Sequence, residues 1–305
     1  MEQIIHIESI AQVYQYLDAD EPPHPLITLI RKWPKMNLDL SQVRLTSDLY
    51  LVAMKREIQG SFQYGRSSYD FQEGTMLFIG PGQVANFSHA TLNADKTTPS
   101  QGWTLLFHPD LIRKSELGKM IHKYSFFGYD VNEALHLSEK ERRFLNTIAD
   151  TIDEEINQNI DRHSQDLIVQ NLETILKYSS RYYDRQFYTR TNLHQDLISR
   201  FEQYLRSYFA SESLLNEGAP TLHHCGEALD ISGPYLSDLL RVETGRSAKD
   251  HIHGYLIEQA KMILLSSKDS VSQVAFTLGF DYPQNFSKLF KSKTGMSPSE
   301  YRKLG

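Results

Sequence analysis

Residues 236–247 read LSDLLRVETGRS, and fifty positions later residues 286–297 read FSKLFKSKTGMS. Five of the twelve aligned pairs are identical: Ser237/Ser287, Leu239/Leu289, Thr244/Thr294, Gly245/Gly295 and Ser247/Ser297. Two copies are too few to stack into a solenoid of repeats. The pattern therefore indicates a duplicated supersecondary unit.

The second copy carries the signals of two helices separated by a tight turn. Ser270–Gln273 fits a capping box that opens a short helix, and Gly279 permits the turn that follows it. Asp281 is expected to cap the next helix, with Pro283 in its first turn, and Gly295 is expected to end it. A short helix, a turn and a second helix make up a helix-turn-helix unit.

The first copy shows the same order of signals. Leu222–Leu229 is expected to form the short helix, with Ser232 as the cap of the second helix and Pro234 in its first turn. Gly245 is expected to end that helix. Ala248–Leu265 joins the two copies, and a helix of that length would span about 27 Å.

The second helix of the second copy has polar residues opposite its apolar stripe. The apolar residues are Phe286, Leu289 and Phe290, and the opposite face carries Gln284, Asn285, Lys288 and Lys291. Gln and Asn pair with adenine edges in the major groove, whereas Lys donates to guanine or to phosphate. An ordinary solvated helix face would look similar, but the duplication favours DNA binding.

This part of the chain resembles the AraC/XylS family of bacterial transcription regulators. The resemblance covers about residues 220–303 and rests on three stretches: AFTLGF at 275–280, FSKLFK at 286–291 and TGMSPSEYR at 294–302. It implies two helix-turn-helix units, at 222–245 and 271–295, that read adjacent major-groove segments one DNA turn apart. The implied base-facing residues are Gly233, Pro234, Ser237 and Asp238 in the first unit and Pro283, Gln284, Asn285 and Lys288 in the second. Arg241, Tyr282 and Lys291 complete the predicted DNA-binding set.

Charge is distributed differently in the two copies. Residues 271–305 hold five basic and two acidic residues, whereas residues 221–245 hold Arg241 against four acidic residues. Asp238 also stands where Lys288 stands in the second copy. A carboxylate beside DNA phosphates is repelled unless it accepts a hydrogen bond from cytosine. We therefore expect the second unit to carry most of the sequence specificity.

The amino-terminal part has the texture of an α+β domain. Short apolar runs at 44–55, 76–80 and 103–107 predict strands, and from about residue 108 the spacing becomes helical. Ser138–Glu141 fits a capping box, and Tyr178–Thr191 is interpreted as a packed helix end rather than a nucleic-acid patch. The family resemblance implies a cupin-like β-barrel with following helices at 1–190, and a helix and linker at 191–220. An all-α DNA-binding domain would follow at 221–305.

The same resemblance supplies the expected partners: double-stranded DNA, a second copy of the chain, a small-molecule effector and RNA polymerase. The helices between Ser138 and Tyr188 are the candidate dimer surface. No catalytic residue, cofactor or metal is expected. The segment MEQIIHIESI lacks the pattern of a signal peptide, and no apolar run is long enough for a membrane helix. With Cys225 as the single cysteine, we expect a cytoplasmic protein without disulfides.

The alternative is a cupin-type metal enzyme with an appended helical domain. Such a site needs converging histidines and a carboxylate, but His89 and His108 are isolated, and His251 and His253 would face apart on a helix. A dinucleotide site at Gly80–Ala85 is also disfavoured, because no helical pattern follows it. Seven aromatic residues could line an effector pocket or fill the core, and the core is favoured: Phe62, Tyr64, Tyr69, Phe71, Phe78, Phe87 and Trp103.

Overall fold

The chain divides into two units, Met1–Gln186 and Phe187–Gly305. The computed structural model describes residues 3–31, 43–55, 61–64, 67–70, 74–86, 102–130, 133–189, 191–211 and 213–303. Within these residues no helix is long and apolar enough to cross a membrane.

The described residues of the first unit form ten strands in two five-stranded sheets. They are β1 (Gln3–Ile7), β2 (Ile27–Ile30), β3 (Val43–Ser47), β4 (Tyr50–Lys55), β5 (Ser61–Tyr64), β6 (Ser67–Asp70), β7 (Thr75–Ile79), β8 (Ala85–Asn86), β9 (Trp103–Phe107) and β10 (Leu135–His136). One sheet has the order β1-β3-β8-β5-β6 and the other β10-β7-β4-β9-β2. The described strands therefore form two sheets and not the closed barrel that the resemblance implies.

Burial explains why the second sheet is the centre of this unit. All five residues of β7 and all five of β9 are buried, as expected for strands covered on both faces. Strand β4 lies between them, with Val52 opposite Phe78 on one side and Leu105 on the other. Phe78 and Trp103 are therefore core residues, whereas Phe71 and Phe87 lie outside the described residues.

Helices cover the sheets. They are α1 (Ile10–Tyr16), α2 (Pro109–Ile112), α3 (Glu116–Met120), α4 (Glu139–Ile156) and α5 (Ser164–Thr189). The capping box at Ser138 and Glu141 is confirmed. The apolar stripe of α4 is buried at Ile148, Ile152 and Ile156, but Phe144 is partly exposed and packs on the ring of Tyr178.

The second unit is helical in its described residues. Its helices are α6 (Thr191–Phe209), α7 (Ser213–Glu217), α8 (Leu222–Leu229), α9 (Gly233–Thr244), α10 (Ala248–Ser266), α11 (Val271–Thr277), α12 (Pro283–Thr294) and α13 (Pro298–Arg302). The last three residues of α5 also belong to it, because the boundary between the units falls within that helix. The expected helix and linker at 191–220 contain α6 and α7.

The identical residues of the two copies end their helices in the same way. The Thr244 hydroxyl donates to the Leu240 carbonyl at 2.6 Å, and the Thr294 hydroxyl donates to the Phe290 carbonyl at 2.8 Å. Gly245 follows Thr244 in the left-handed region at φ 73°, and Gly295 follows Thr294 at φ 80°. A residue without Cβ adopts this conformation at the least cost, so both glycines end their helices as predicted.

The paired serines start the helices that follow. Ser247 caps α10 by accepting from the Asp250 amide, and Ser297 caps α13 by accepting from the Glu300 amide. The first copy thus leads directly into α10, and the second leads into α13. Local capping therefore explains why these positions are identical in the two copies.

Candidate DNA-binding surface

The polar stripe on α12 is exposed as predicted. Gln284, Asn285, Lys288 and Lys291 face solvent, whereas Phe286 and Phe290 are buried on the opposite side. Leu289 is only partly buried and packs at the edge of that core. Donors and acceptors of the kinds that pair with adenine and guanine therefore share one accessible helix face.

A tight turn sets α12 across α11. The amide of Gly279, at φ 76°, donates to the Phe276 carbonyl, and the Phe280 amide donates to the Ala275 carbonyl at 3.0 Å. The capping box at Ser270 and Gln273 that opens α11 is confirmed. These contacts give the second copy the geometry of a helix-turn-helix.

The predicted N-cap of α12 is wrong. The helix begins at Pro283, so the capping position is Tyr282, and Asp281 lies one residue outside it. Tyr282 has extended backbone at φ −127° and ψ 115°, which is the conformation that a following proline imposes. Its side chain makes no capping hydrogen bond and is exposed at the start of the recognition helix.

The lysines of this surface differ in their ionic partners. Within the described part of the chain, neither the Lys288 nor the Lys291 ammonium group forms an ion pair. Lys293 instead lies beside Asp250, with Nζ 2.8 Å from Oδ1. Lys288 and Lys291 are therefore available to a polyanion, and Lys293 holds α12 against α10.

Asp250 connects the first turn of α10 to the last turn of α12. The Lys293 ammonium group, together with the Ser247 hydroxyl, holds the pKa of this carboxyl well below its usual range. Near the other end of α10, Arg302 Nε donates to the Leu264 carbonyl at 3.2 Å. Lys293 at the end of α12 and Arg302 in α13 thus contact opposite ends of α10.

The first recognition helix, α9, is less open than α12. Leu236, Leu239 and Leu240 are fully buried, and Ser232 caps the helix as predicted. The predicted contact residues Gly233, Pro234, Ser237 and Asp238 are each only partly exposed, whereas Arg241 is exposed. The two recognition helices therefore present unequal surfaces.

Asp238 lies closer to the protein than its repeat position suggests. Its side chain is 16% exposed, and Arg241 Nη1 lies 3.0 Å from its Oδ1. Lys288, at the equivalent position of α12, is exposed. The carboxylate is therefore partly covered and partly neutralised within its own helix.

Two aromatic residues on this side were not predicted as functional. Tyr235 is 5% exposed, and its ring centroid lies 5.1 Å from that of Phe187 near the end of α5. Phe187 itself is 2% exposed. The aromatic segment at 178–191 signalled a packed helix end, but the sequence did not show that Tyr235 was the contact.

The histidines that were considered as metal ligands have other surroundings. His251 Nε2 lies 2.8 Å from the Thr244 hydroxyl, and burial lowers the pKa of both His251 and His253. His108 caps α2 by accepting from the Asp110 amide, whereas His89 lies outside the described residues. Among the described residues, no group of three His, Cys, Asp or Glu side chains could hold a metal ion.

A cavity of about 100 Å³ lies in the first unit between α1 and strands of both sheets. Its apolar lining includes Val13, Leu17, Leu45, Leu51, Ile79 and Leu106. The described residues around it include no charged side chain. Two of its polar side chains have local partners: Ser47 Oγ accepts from the Leu49 amide, and Gln83 Oε1 accepts from the Gly80 amide. The turn at Gly80 leads into β8, so this segment has no helix start for a dinucleotide.

Residues 225–304 match the family model described as "Helix-turn-helix domain". This region is therefore a helix-turn-helix domain by sequence as well as by structure. Over 46% of its length the chain is 31% identical to the arabinose operon regulatory protein of Salmonella typhimurium, and it covers 47% of that protein. The arabinose operon regulatory protein of Escherichia coli is 32% identical over 36% of the chain and 37% of its own length. The chain thus matches less than half of the length of either relative.

Among solved structures, the chain is similar to the carboxyl-terminal domain of AraT, a response regulator from Geobacillus stearothermophilus. The two are 29% identical, with a TM-score of 0.32, over 36% of this chain and 85% of that one.

Proposed function

We propose that this chain is a sequence-specific DNA-binding transcription regulator that acts by binding and not by catalysis. The observation that supports the proposal is the exposed stripe on α12. It carries two side-chain amides and two lysines, and neither lysine forms an ion pair among the described residues. The opposite side of the helix is buried in the core of the domain. Such a helix enters the major groove with this face toward the bases. Double-stranded DNA is the partner that fits its chemistry.

We further propose that the second unit of the repeat supplies most of the sequence specificity. Gln284, Asn285 and Lys288 are exposed on α12, with Tyr282 and Pro283 at its start. On α9 the equivalent surface is partly covered and carries the carboxylate of Asp238. Arg241 is the exposed cation there, and it shares its charge with that carboxylate. A contact to phosphate is therefore the role that suits Arg241.

Lys288→Ala tests the placement of α12. If Lys288 reads a guanine, we expect specific binding to weaken by about 1–3 kcal/mol and discrimination to relax at one base pair. If it contacts only phosphate, binding should weaken equally on all sequences, with a salt slope shallower by about 1. Titration of the whole protein against labelled DNA at several salt concentrations separates the two results.

Lys261→Ala is the matched control, because it removes the same charge from α10, where Lys261 Nζ lies 2.7 Å from Glu258 Oε1. This control should bind DNA like the wild type. A Lys288→Ala protein with wild-type affinity and wild-type salt slope would contradict the placement of α12 in the groove.

For residues 1–190 we propose a cupin-like domain that senses a ligand and forms dimers. Two features support this assignment. The sheets enclose an apolar core, and the long helices α4 and α5 follow them in the chain. Phe144 on α4 and Leu167 on α5 are large apolar side chains that remain partly exposed. These helices are the proposed dimer surface, and RNA polymerase is the proposed partner of the DNA-bound protein.

The cavity beside α1 is the proposed effector site. Its lining is mostly apolar, and the described residues offer no charged group to balance an ion. Burial of an unpaired charge in such surroundings is strongly unfavourable. A small neutral molecule with an apolar surface is therefore the effector class that fits, and residues 191–220 would join this domain to the DNA-binding domain.

A further inference from the structure

We infer that the ring contact between Phe187 and Tyr235 covers the first recognition helix and must open before α9 can enter a major groove. This inference rests on the proposed DNA-binding function. It assigns the two rings a regulatory role: in the closed state only α12 is available to DNA, and in the open state both recognition helices are.

The internal repeat provides the comparison. Tyr235 lies fifty positions before Asn285, so the two residues occupy the same place in their helices. Asn285 is exposed, whereas Tyr235 is almost fully buried, with its ring 5.1 Å from that of Phe187. The same helix position is therefore open in one unit and covered in the other.

The difference extends along the helix. Pro234 and Asp238 are partly covered, whereas their counterparts Gln284 and Lys288 are exposed. One flank of α9 is thus closed by an aromatic ring from outside the helix-turn-helix, and the outward face beside it is partly shielded. The first helix-turn-helix is therefore folded, but its second helix is not accessible to DNA.

Groove dimensions make this cover incompatible with binding. The major groove is about 12 Å wide, and a helix with its side chains is about 10–12 Å across. Tyr235 occupies the position of Asn285, which the proposed function places toward DNA, so a phenyl ring packed there occupies space that the DNA would need. Phe187 must therefore leave Tyr235 before α9 can approach base edges.

If the contact between Phe187 and Tyr235 covers α9, weakening that contact should strengthen DNA binding. In the full chain, Phe187→Ala should raise the affinity for DNA that carries both recognition segments, because a larger fraction of the protein is competent to bind. We expect a gain of about tenfold, the order of one aromatic pair. Hydroxyl-radical footprints should lengthen from one major-groove segment to two adjacent segments. DNA that carries only the α12 segment should be bound with unchanged affinity.

Three further variants keep the test decisive. Phe187→Leu retains an apolar side chain in the buried position and should show the same direction of change if Phe187→Ala does not fold. Tyr235→Asn removes the other ring and installs the residue found at the equivalent position of α12. Tyr188→Ala removes the neighbouring aromatic ring, which is 68% exposed, and should behave like the wild type.

The outcomes separate this inference from the proposed function. The regulatory role of the Phe187–Tyr235 contact would be overturned if the wild-type protein already protected both segments. It would also be overturned if the ring variants folded and kept the wild-type footprint and affinity. Absence of sequence-selective binding by the wild type on any DNA would instead overturn the proposed function. Binding of the α12 segment alone by the wild type, with gain of the second segment in the variants, supports both.

Discussion

Gly279→Ala is expected to destabilise the helix-turn-helix domain by about 2–5 kcal/mol and to abolish specific DNA binding at moderate temperature. Gly279 has φ 76°, where a residue with a Cβ costs about 1–2 kcal/mol. A Cβ here would also meet the Leu214 carbonyl oxygen and would lie 2.7 Å from Gly218 Cα. Both are backbone atoms of the α7 segment, so neither can rotate away, and overpacking adds about 1–3 kcal/mol.

Gly295→Ala is the matched control for this substitution. Gly295 also has a positive φ, 80°, but a Cβ there would have no heavy atom within 4 Å. It should therefore show only the backbone cost of about 1–2 kcal/mol. Urea unfolding of both variants measures the difference. Equal losses in the two variants would show that α7 does not pack against the turn as described.

Phe290→Ala is expected to lower the free energy of unfolding by about 3–5 kcal/mol, because it removes a fully buried ring and leaves a cavity. The ring packs against Phe286 and Tyr301 at centroid distances of 5.7 and 5.4 Å. It thus joins α12 to α13 and to the core beneath both. Loss of this support should release α12 and reduce DNA affinity together with stability.

Phe276→Ala makes the same chemical change at a surface position of the same helix-turn-helix. Phe276 is 53% exposed, so its removal should change stability by only about 0.5 kcal/mol. Thermal and urea unfolding of the two variants give the comparison. If Phe276→Ala were as damaging as Phe290→Ala, the assignment of buried and exposed faces around α11 and α12 would be wrong.

The helix-turn-helix region was predictable because its signals are local. Each Thr-Gly pair ends a helix and each following Ser starts one, within four residues of sequence. The one capping error, at Asp281, has the same local origin: Pro283 moved the helix start, and the cap moved with it to Tyr282. Capping rules require knowledge of the first helical residue, and a proline can take the first or the second position.

The sheets of the first unit were only partly predictable. The strands at 44–55, 76–80 and 103–107 were recognised from their apolar runs, but pairing joins residues that are far apart in sequence. Strand β1 pairs in parallel with β3, with Gln3 opposite Val43, and no local pattern encodes that choice. The number of sheets and their order therefore had to come from the structure.

The sequence predicted the asymmetry of the two recognition helices from charge alone. Charge indicated that the first helix-turn-helix contributes less to base recognition, since Asp238 stands there in place of a lysine. The structure adds a steric cause, because Phe187 lies 48 positions before Tyr235 and covers its ring. Long-range aromatic contacts of this kind leave no periodic trace in either segment.

Selection of bound fragments from random DNA with the whole protein tests the central claim, sequence-specific DNA recognition through α12, most directly. We expect a shared motif to be enriched, with the positions read by Gln284, Asn285 and Lys288 grouped within one major-groove segment. The same selection with Lys288→Ala should lose preference at one base pair or, if Lys288 contacts phosphate, keep the motif at lower affinity. The claim would be contradicted if the wild-type protein, at concentrations at which it binds DNA, recovered fragments that share no sequence.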